Sequence, residues 1–205
     1  ACLTPVLRHH DLSPGERPNP ALGNTSLLDY AQDLADIARG LGEPPILIGH
    51  SMGGFLALKL AEMGLAEALV MLAPAPPAGI FNMGPSVVRA FGGAMSSWKF
   101  WHKPIKQAYE EAAFGLYNLV PPEERRVYYQ RSVYESGRAA SELGWYFLDR
   151  RHASRVDPSK ILCPALLIGG EQERVVPPRV ARKTAARYGA EFVSLADHAH
   201  WLVGE

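Results

Sequence analysis

The stretch from Pro44 to Leu60 restricts the fold of this chain more than any other. Ile46, Leu47 and Ile48 form a short unbroken apolar run, the pattern expected of a strand buried on both faces, and from Phe55 the apolar spacing turns helical. Between them lies Gly49-His50-Ser51-Met52-Gly53-Gly54. A chain that reverses from strand to helix in so few residues needs small neighbours around the pivot, and glycines stand two places before and two places after Ser51. The reversal leaves the serine hydroxyl exposed at a helix N-terminus, where free N–H groups and the helix dipole favour developing negative charge.

The remaining pattern extends this unit in both directions. Cys2 to Leu7 reads as a short strand that enters a loop dense in turn formers, Arg8 to Pro18. Ser26, with Asp29 three places on, forms a capping box for a helix whose apolar positions are Leu27, Leu34, Ile37 and Leu41, ended by Gly40 and Gly42. After the helix that follows Ser51, Ala68–Leu72 is the next buried strand. Ala165–Ile168, a helix over Val180–Tyr188 and a last strand over Glu191–Ala196 complete the series. Apolar strands alternating with helices imply an α/β fold, a mostly parallel sheet with helices on both faces.

Residues 78–156 break the alternation. They are too long for an ordinary connection and carry helix signals of their own: prolines and acids at Pro121-Pro122-Glu123-Glu124, and Arg138 spaced to pair with Glu135 and Glu142. We expect an inserted helical cap on a core made of residues 1–77 and 157–205. The cap is rich in Phe, Trp, Tyr and Met; most of these should form its own core and its seat, and a minority should line an apolar pocket above Ser51.

Gly49-His50-Ser51-Met52-Gly53-Gly54 is a nucleophile elbow, and it resembles that of the α/β-hydrolase family in its esterase, lipase and lysophospholipase-like branch. The competing reading, a serine that merely caps a helix in another α/β protein, lacks the downstream residues described next. A nucleotide-phosphate loop is weaker still, because neither Gly-x-Gly-x-x-Gly nor Gly-Lys-Ser/Thr is present.

A serine hydroxyl is a poor nucleophile near neutral pH unless a base takes its proton, and a histidine base needs a carboxylate to hold its tautomer. The family order is Ser, acid, His, and this chain supplies it. Gly170-Glu171-Gln172-Glu173 with Pro177 resembles the family's acid turn and puts Glu173 in the acid's place, with Glu171 as the alternative. Ala199-His200-Trp201 with Glu205 fits the family's histidine register better than Asp197-His198-Ala199, so His200 is the expected base and His198 a neighbour. His50 is expected to support packing. The backbone N–H of Met52 is the implied oxyanion donor.

The resemblance also exposes a gap. The family's first three strands and the His-Gly loop that supplies a second oxyanion donor have no counterpart before Ser51, so the fold is expected to be N-terminally incomplete. The missing strand would be filled by a preceding segment or by a homodimer partner.

The remaining composition narrows the partners. Twenty-one basic and 21 acidic residues give a net charge of zero, so nothing steers the whole chain toward nucleic acid or an anionic surface. No apolar run reaches the length of a membrane span and no signal core begins the sequence, which makes a cytoplasmic location the default. Cys2 and Cys163 are too few and too far apart for a disulfide framework or a thiolate zinc site. His9-His10-Asp11 reads as a loop near the mouth of the site, because adjacent histidines on an extended segment point to opposite sides. We expect no metal and no cofactor. The expected activity is hydrolysis of apolar carboxylic esters through Ser51, His200 and Glu173. The alternatives are a thioesterase, acyltransferase or cofactor-free haloperoxidase using the same residues, or a non-catalytic binding protein.

Overall fold

A computed structural model describes residues 2–205. Its centre is a four-stranded, wholly parallel sheet ordered β1 (Ile46–His50), β2 (Ala68–Leu72), β5 (Ala165–Gly170), β6 (Glu191–Leu195). Helices flank it: α1 (Leu27–Arg39) packs on α2 (Met52–Glu62), α2 on β1 and β2, and α7 (Pro178–Tyr188) on β5 and β6. Between β2 and β5 the chain leaves the sheet. It forms α3 (Pro85–Phe91), α4 (Tyr109–Gly115), α5 (Pro122–Arg131) and α6 (Gly137–Gly144), with one short antiparallel pair, β3 (Pro104–Ile105) and β4 (Glu135–Ser136).

The capping box at Ser26 and Asp29 is present, and Gly40 ends α1. Its buried stripe differs from the expected one. Leu27, Tyr30, Ala31, Ala35 and Ala38 are buried, whereas Ile37 and Leu41 are exposed. Small alanines let α1 approach α2 closely, and bulkier residues a few positions away are displaced to the rim. On α2, Phe55, Leu56 and Leu58 are almost wholly buried, and each such side chain contributes roughly 1.5–3 kcal/mol by leaving water.

Two expectations fail at the other end of the sheet. Cys2 to Leu7 forms no strand, and β1 is the edge of the sheet. Ile46 and Ile48, which share one face of β1, are 64% and 69% exposed, so that face is bare there rather than buried. Three apolar residues in a row look the same in sequence whether or not another element arrives to pack on that face. Arg138 pairs with Glu142 at 2.7 Å but not with Glu135. Glu135 instead accepts from the Tyr30 hydroxyl at 2.7 Å and faces His10 Nε2 at 3.3 Å.

Candidate active site

Loops at the carboxyl ends of β1, β5 and β6 converge on one point, the place where open parallel sheets collect reacting groups. The first of them is the turn at Ser51. Its backbone sits at φ 52°, ψ −120°, a strained conformation for a residue with a side chain. The surroundings hold it there. Ser51 N–H donates to the Leu72 carbonyl at 2.9 Å, and the Ser51 carbonyl accepts from the N–H groups of Gly54, Phe55 and Ala75 at 2.9–3.2 Å.

The glycines divide the steric work unequally. A Cβ on Gly49 would lie 2.1 Å from the Gly53 carbonyl oxygen, and one on Gly54 would lie 2.9 Å from the Pro74 side chain. One on Gly53 would meet nothing within 4 Å. The need for small neighbours therefore falls on Gly49 and Gly54, and the expectation for the glycine two places after Ser51 is corrected. Because the helical bonds begin at Gly54 and Phe55, the N–H of Met52 stays at the open end of α2.

The second and third loops are locked together by backbone. A Cβ on Gly170 would fall 2.1 Å from the His198 carbonyl oxygen, so only glycine lets the end of β5 approach the loop after β6 this closely. The same His198 carbonyl accepts from Gln172 N–H at 3.0 Å. The Glu205 carboxylate then closes the loop by accepting from the N–H groups of Ala199 and Trp201.

This scaffold brings three of the expected residues into one hydrogen-bonded chain. His200 Nε2 lies 3.1 Å from Ser51 Oγ, and His200 Nδ1 lies 2.7 Å from Glu173 Oε2. His200 is 1% exposed and Glu173 is 6% exposed. Burial, the largest influence on the Glu173 carboxyl, pushes its pKa up. The charge and hydrogen bond of His200 and the N–H groups of Val175 and Val176 outweigh it, and the net shift is downward. Glu173 is therefore ionised, with its other oxygen accepting from Val175 N–H at 2.7 Å.

The alternatives lie elsewhere. Glu171 turns outward to pair with Arg182 at 2.6 Å and to accept from the Ser194 hydroxyl. His198 contributes its backbone carbonyl to the loop contact. His9 and His10 diverge, toward Asn19 and Glu135 respectively.

His50 does more than fill space. Its Nε2 stands 2.7 Å from the His200 carbonyl oxygen, with the two rings 4.8 Å apart and Trp201 edge-on to His50 at 5.6 Å. Burial, followed by the nearby charge of His200, lowers the His50 pKa to about 4. The ring is thus a neutral N–H donor that ties the Ser51 turn to the backbone of His200. Its position beside Ser51 gave no sign of this, because the acceptor is 150 residues away in sequence.

The segment between β2 and β5 contacts these loops. Asn118 donates to the Gln172 carbonyl, Asn82 to the Val175 carbonyl, and Tyr117 meets Trp201 with ring centroids 5.1 Å apart. Two cavities open within that segment, of about 210 and 540 Å³, and neither is lined by Ser51, Glu173 or His200.

Comparison with known proteins bears on the family and the fold. The family described as the alpha/beta hydrolase family matches residues 1–205. The chain belongs to that family. Among solved structures, this hydrolase is similar to a pyrethroid hydrolase from Sphingobium faniae JZ-2, at 18% identity and a TM-score of 0.66, over 98% of this chain and 79% of that one. It is also similar to the monoacylglycerol lipase of Paleococcus ferrophilus, at 20% identity and a TM-score of 0.58, over 87% and 68% of the two chains. A third similarity is to a carboxylesterase structure from the thaumarchaeon Nitrososphaera gargenis, at 18% identity and a TM-score of 0.59, over 94% and 72%. At these identities the likeness speaks for the fold. A search of curated proteins returns no match. Among the described residues no helix is long and apolar enough to cross a membrane.

Proposed function

We propose that this α/β-hydrolase cleaves carboxylic esters with Ser51 as nucleophile, His200 as general base and acid, and Glu173 as the carboxylate that orients His200. The observation that carries the reading is the unbroken chain from Ser51 Oγ through both nitrogens of a buried His200 to an ionised Glu173. With Nδ1–H donating to Glu173, Nε2 is left as the acceptor that can take the Ser51 proton as Oγ attacks the ester carbonyl. The Met52 N–H at the head of α2 then faces the developing oxyanion. His200 returns the proton to the leaving alcohol, an acyl group remains on Ser51, and water activated by the same His200 releases the acid.

Residues 78–156 serve in this proposal as a cap. Their contacts with the Glu173 turn and with Trp201 put aromatic residues beside the site, and that supports an apolar acyl or alcohol group in the substrate. The exposed outer flank of β1 supports a further proposal, that a strand from a preceding segment or a second copy covers it.

Fluorophosphonate labelling tests the reading directly. Ser51 should carry the label, and p-nitrophenyl acyl esters should be hydrolysed faster as the acyl chain lengthens, by up to about 0.8 kcal/mol per buried methylene. Labelling at another serine, or a chain-length series flat from the start, would overturn the nucleophile or the apolar pocket respectively. Turnover of thioesters in preference to oxygen esters would redirect the substrate class and leave the residue roles in place.

A further inference from the structure

The sequence Trp98-Lys99-Phe100-Trp101-His102-Lys103 is made only of aromatic and basic residues. Lys99 adopts a left-handed conformation, φ 57° and ψ 35°, that turns the chain into a short 3-10 helix at Phe100–His102. Only Phe100 turns inward. It is buried, 5.3 Å from the Trp145 ring, and its backbone packs so tightly on α6 that a Cβ on Gly137 would lie 1.9 Å from the Phe100 carbonyl oxygen. Trp98 is left 78% exposed and Trp101 36% exposed, edge to face at 6.0 Å.

A second apolar element stands beside them. Trp101 and Leu148 line the same cavity of about 540 Å³, and Leu148 and its neighbour Phe147 are 70% and 61% exposed. The rim is basic. Lys99, Arg150 and Arg151 are exposed, and among the described residues no carboxylate pairs with them. The two acids nearby are drawn inward: Glu142 is buried against Arg138, Ser26 and Leu27 N–H, and Asp149 accepts from the N–H groups of Arg151 and Ala153. The Glu142 contacts also fasten α6 to the start of α1, so the patch rests on a rigid support.

We propose that this face, carrying Trp98, Trp101, Phe147 and Leu148 within a rim of Lys99, Arg150 and Arg151, docks on an anionic lipid surface. Exposed tryptophans suit the headgroup level of a bilayer, Phe147 and Leu148 suit the acyl boundary just below it, and unpaired Lys and Arg meet lipid phosphates. Trp, Phe and Arg are enriched at protein interfaces too, but a rim of cations that no carboxylate pairs with, around exposed tryptophans, is complementary to a surface of lipid phosphates. The zero net charge of the whole chain concealed this local separation of charge. The proposal stands apart from the reading of Ser51, since none of these residues touches it.

The test is flotation of the full chain with vesicles of phosphatidylcholine alone and of phosphatidylcholine mixed with phosphatidylglycerol, with tryptophan emission recorded alongside. The chain should bind the mixed vesicles, shift its emission to the blue, and dissociate as salt rises. Trp98→Ser with Trp101→Ser should weaken binding by about tenfold or more, and Lys99→Glu with Arg150→Glu and Arg151→Glu should remove the preference for anionic lipid. Ser51→Ala should bind as the parent does, which separates this result from any failure of the hydrolase reading. Absence of binding by the parent, or equal binding by the tryptophan variant, would overturn the proposal. So would a dimer in the parent that the tryptophan variant breaks, since the face would then belong to a second copy.

Discussion

Strand β1 ends in a tightly constrained place and runs along a loosely constrained one. At its carboxyl end, Gly49 has no room for a Cβ, His50 reaches the His200 backbone, and Ser51 is held in a strained conformation by four backbone hydrogen bonds. A few residues earlier, Ile46 and Ile48 project into solvent from an unpaired edge. The difference shows where the energy of this fold is spent. Backbone bonds and close contacts from β2, β5, β6 and α2 converge at the site, while the edge has neighbours on one side alone.

The most severe way to probe the constrained end is Ser51→Ala. Activity on p-nitrophenyl esters should fall by about 10⁴-fold or more with the melting temperature unchanged, because one hydroxyl leaves and no packing is disturbed. His200→Ala should lose comparable activity and His198→Ala far less. An inactive His198→Ala beside an active His200→Ala would break the assignment.

Glu173→Gln comes next. The amide keeps the shape but accepts poorly from Nδ1–H, and turnover should drop by about 10³ to 10⁴. The variant also reports on stability. A carboxylate whose folded pKa lies below its unfolded value contributes stability at neutral pH and loses it as pH falls through the folded pKa. Glu173 is shifted in that direction. The stability difference between parent and Glu173→Gln should therefore be greatest near neutrality and shrink in acid, as chemical denaturation at a series of pH values would show. A difference that grows toward low pH would mean that Glu173 is not held as a carboxylate.

His50 separates donor from filler with a smaller effect. His50→Phe leaves the buried His200 carbonyl without its partner and should lower kcat about tenfold, the cost of one buried hydrogen bond, with KM little changed. His50→Gln, which can still donate, should retain more. Because the His50 pKa is lowered to about 4, the parent should lose stability as pH falls from the ordinary histidine value toward 4, and His50→Gln should lose less over that window. Equal kcat in the two variants would reduce His50 to packing.

These contrasts track what was legible in the sequence. The elbow, the strands β2, β5 and β6 and the helix caps at Ser26 and Gly40 announce themselves because each is set by residues next to it in the chain. The places of Glu173 and His200 were legible only through the spacing of a family turn and loop. Their meeting depends on Gly170, whose approach to His198 no local pattern records. The roles of His50, of Ile37 and Leu41 on α1, and of Ile46 and Ile48 on β1 were not legible. Each is decided by whether a partner distant in sequence arrives.

The smallest expected effect falls on the open edge, and it would break the comparison most usefully. Ile48→Lys removes an exposed apolar side chain from a strand paired on one edge only, the substitution by which edge strands are ordinarily blunted. With this face bare, stability should change by no more than about 0.5 kcal/mol; with the segment or second copy proposed for β1 in place, the loss should be larger, and self-association of the parent through β1 should weaken. Equilibrium denaturation and sedimentation of the two proteins measure both. A loss of several kcal/mol would show that Ile48 is buried in the folded protein, which would mean that a further element packs on its face of β1. If that loss fades on dilution of the parent, the cover is a second copy; if it does not, it is a segment of the same polypeptide. In either case this face of β1 would be packed in the folded protein, and the contrast between its two ends would reduce to one of chemistry rather than of packing.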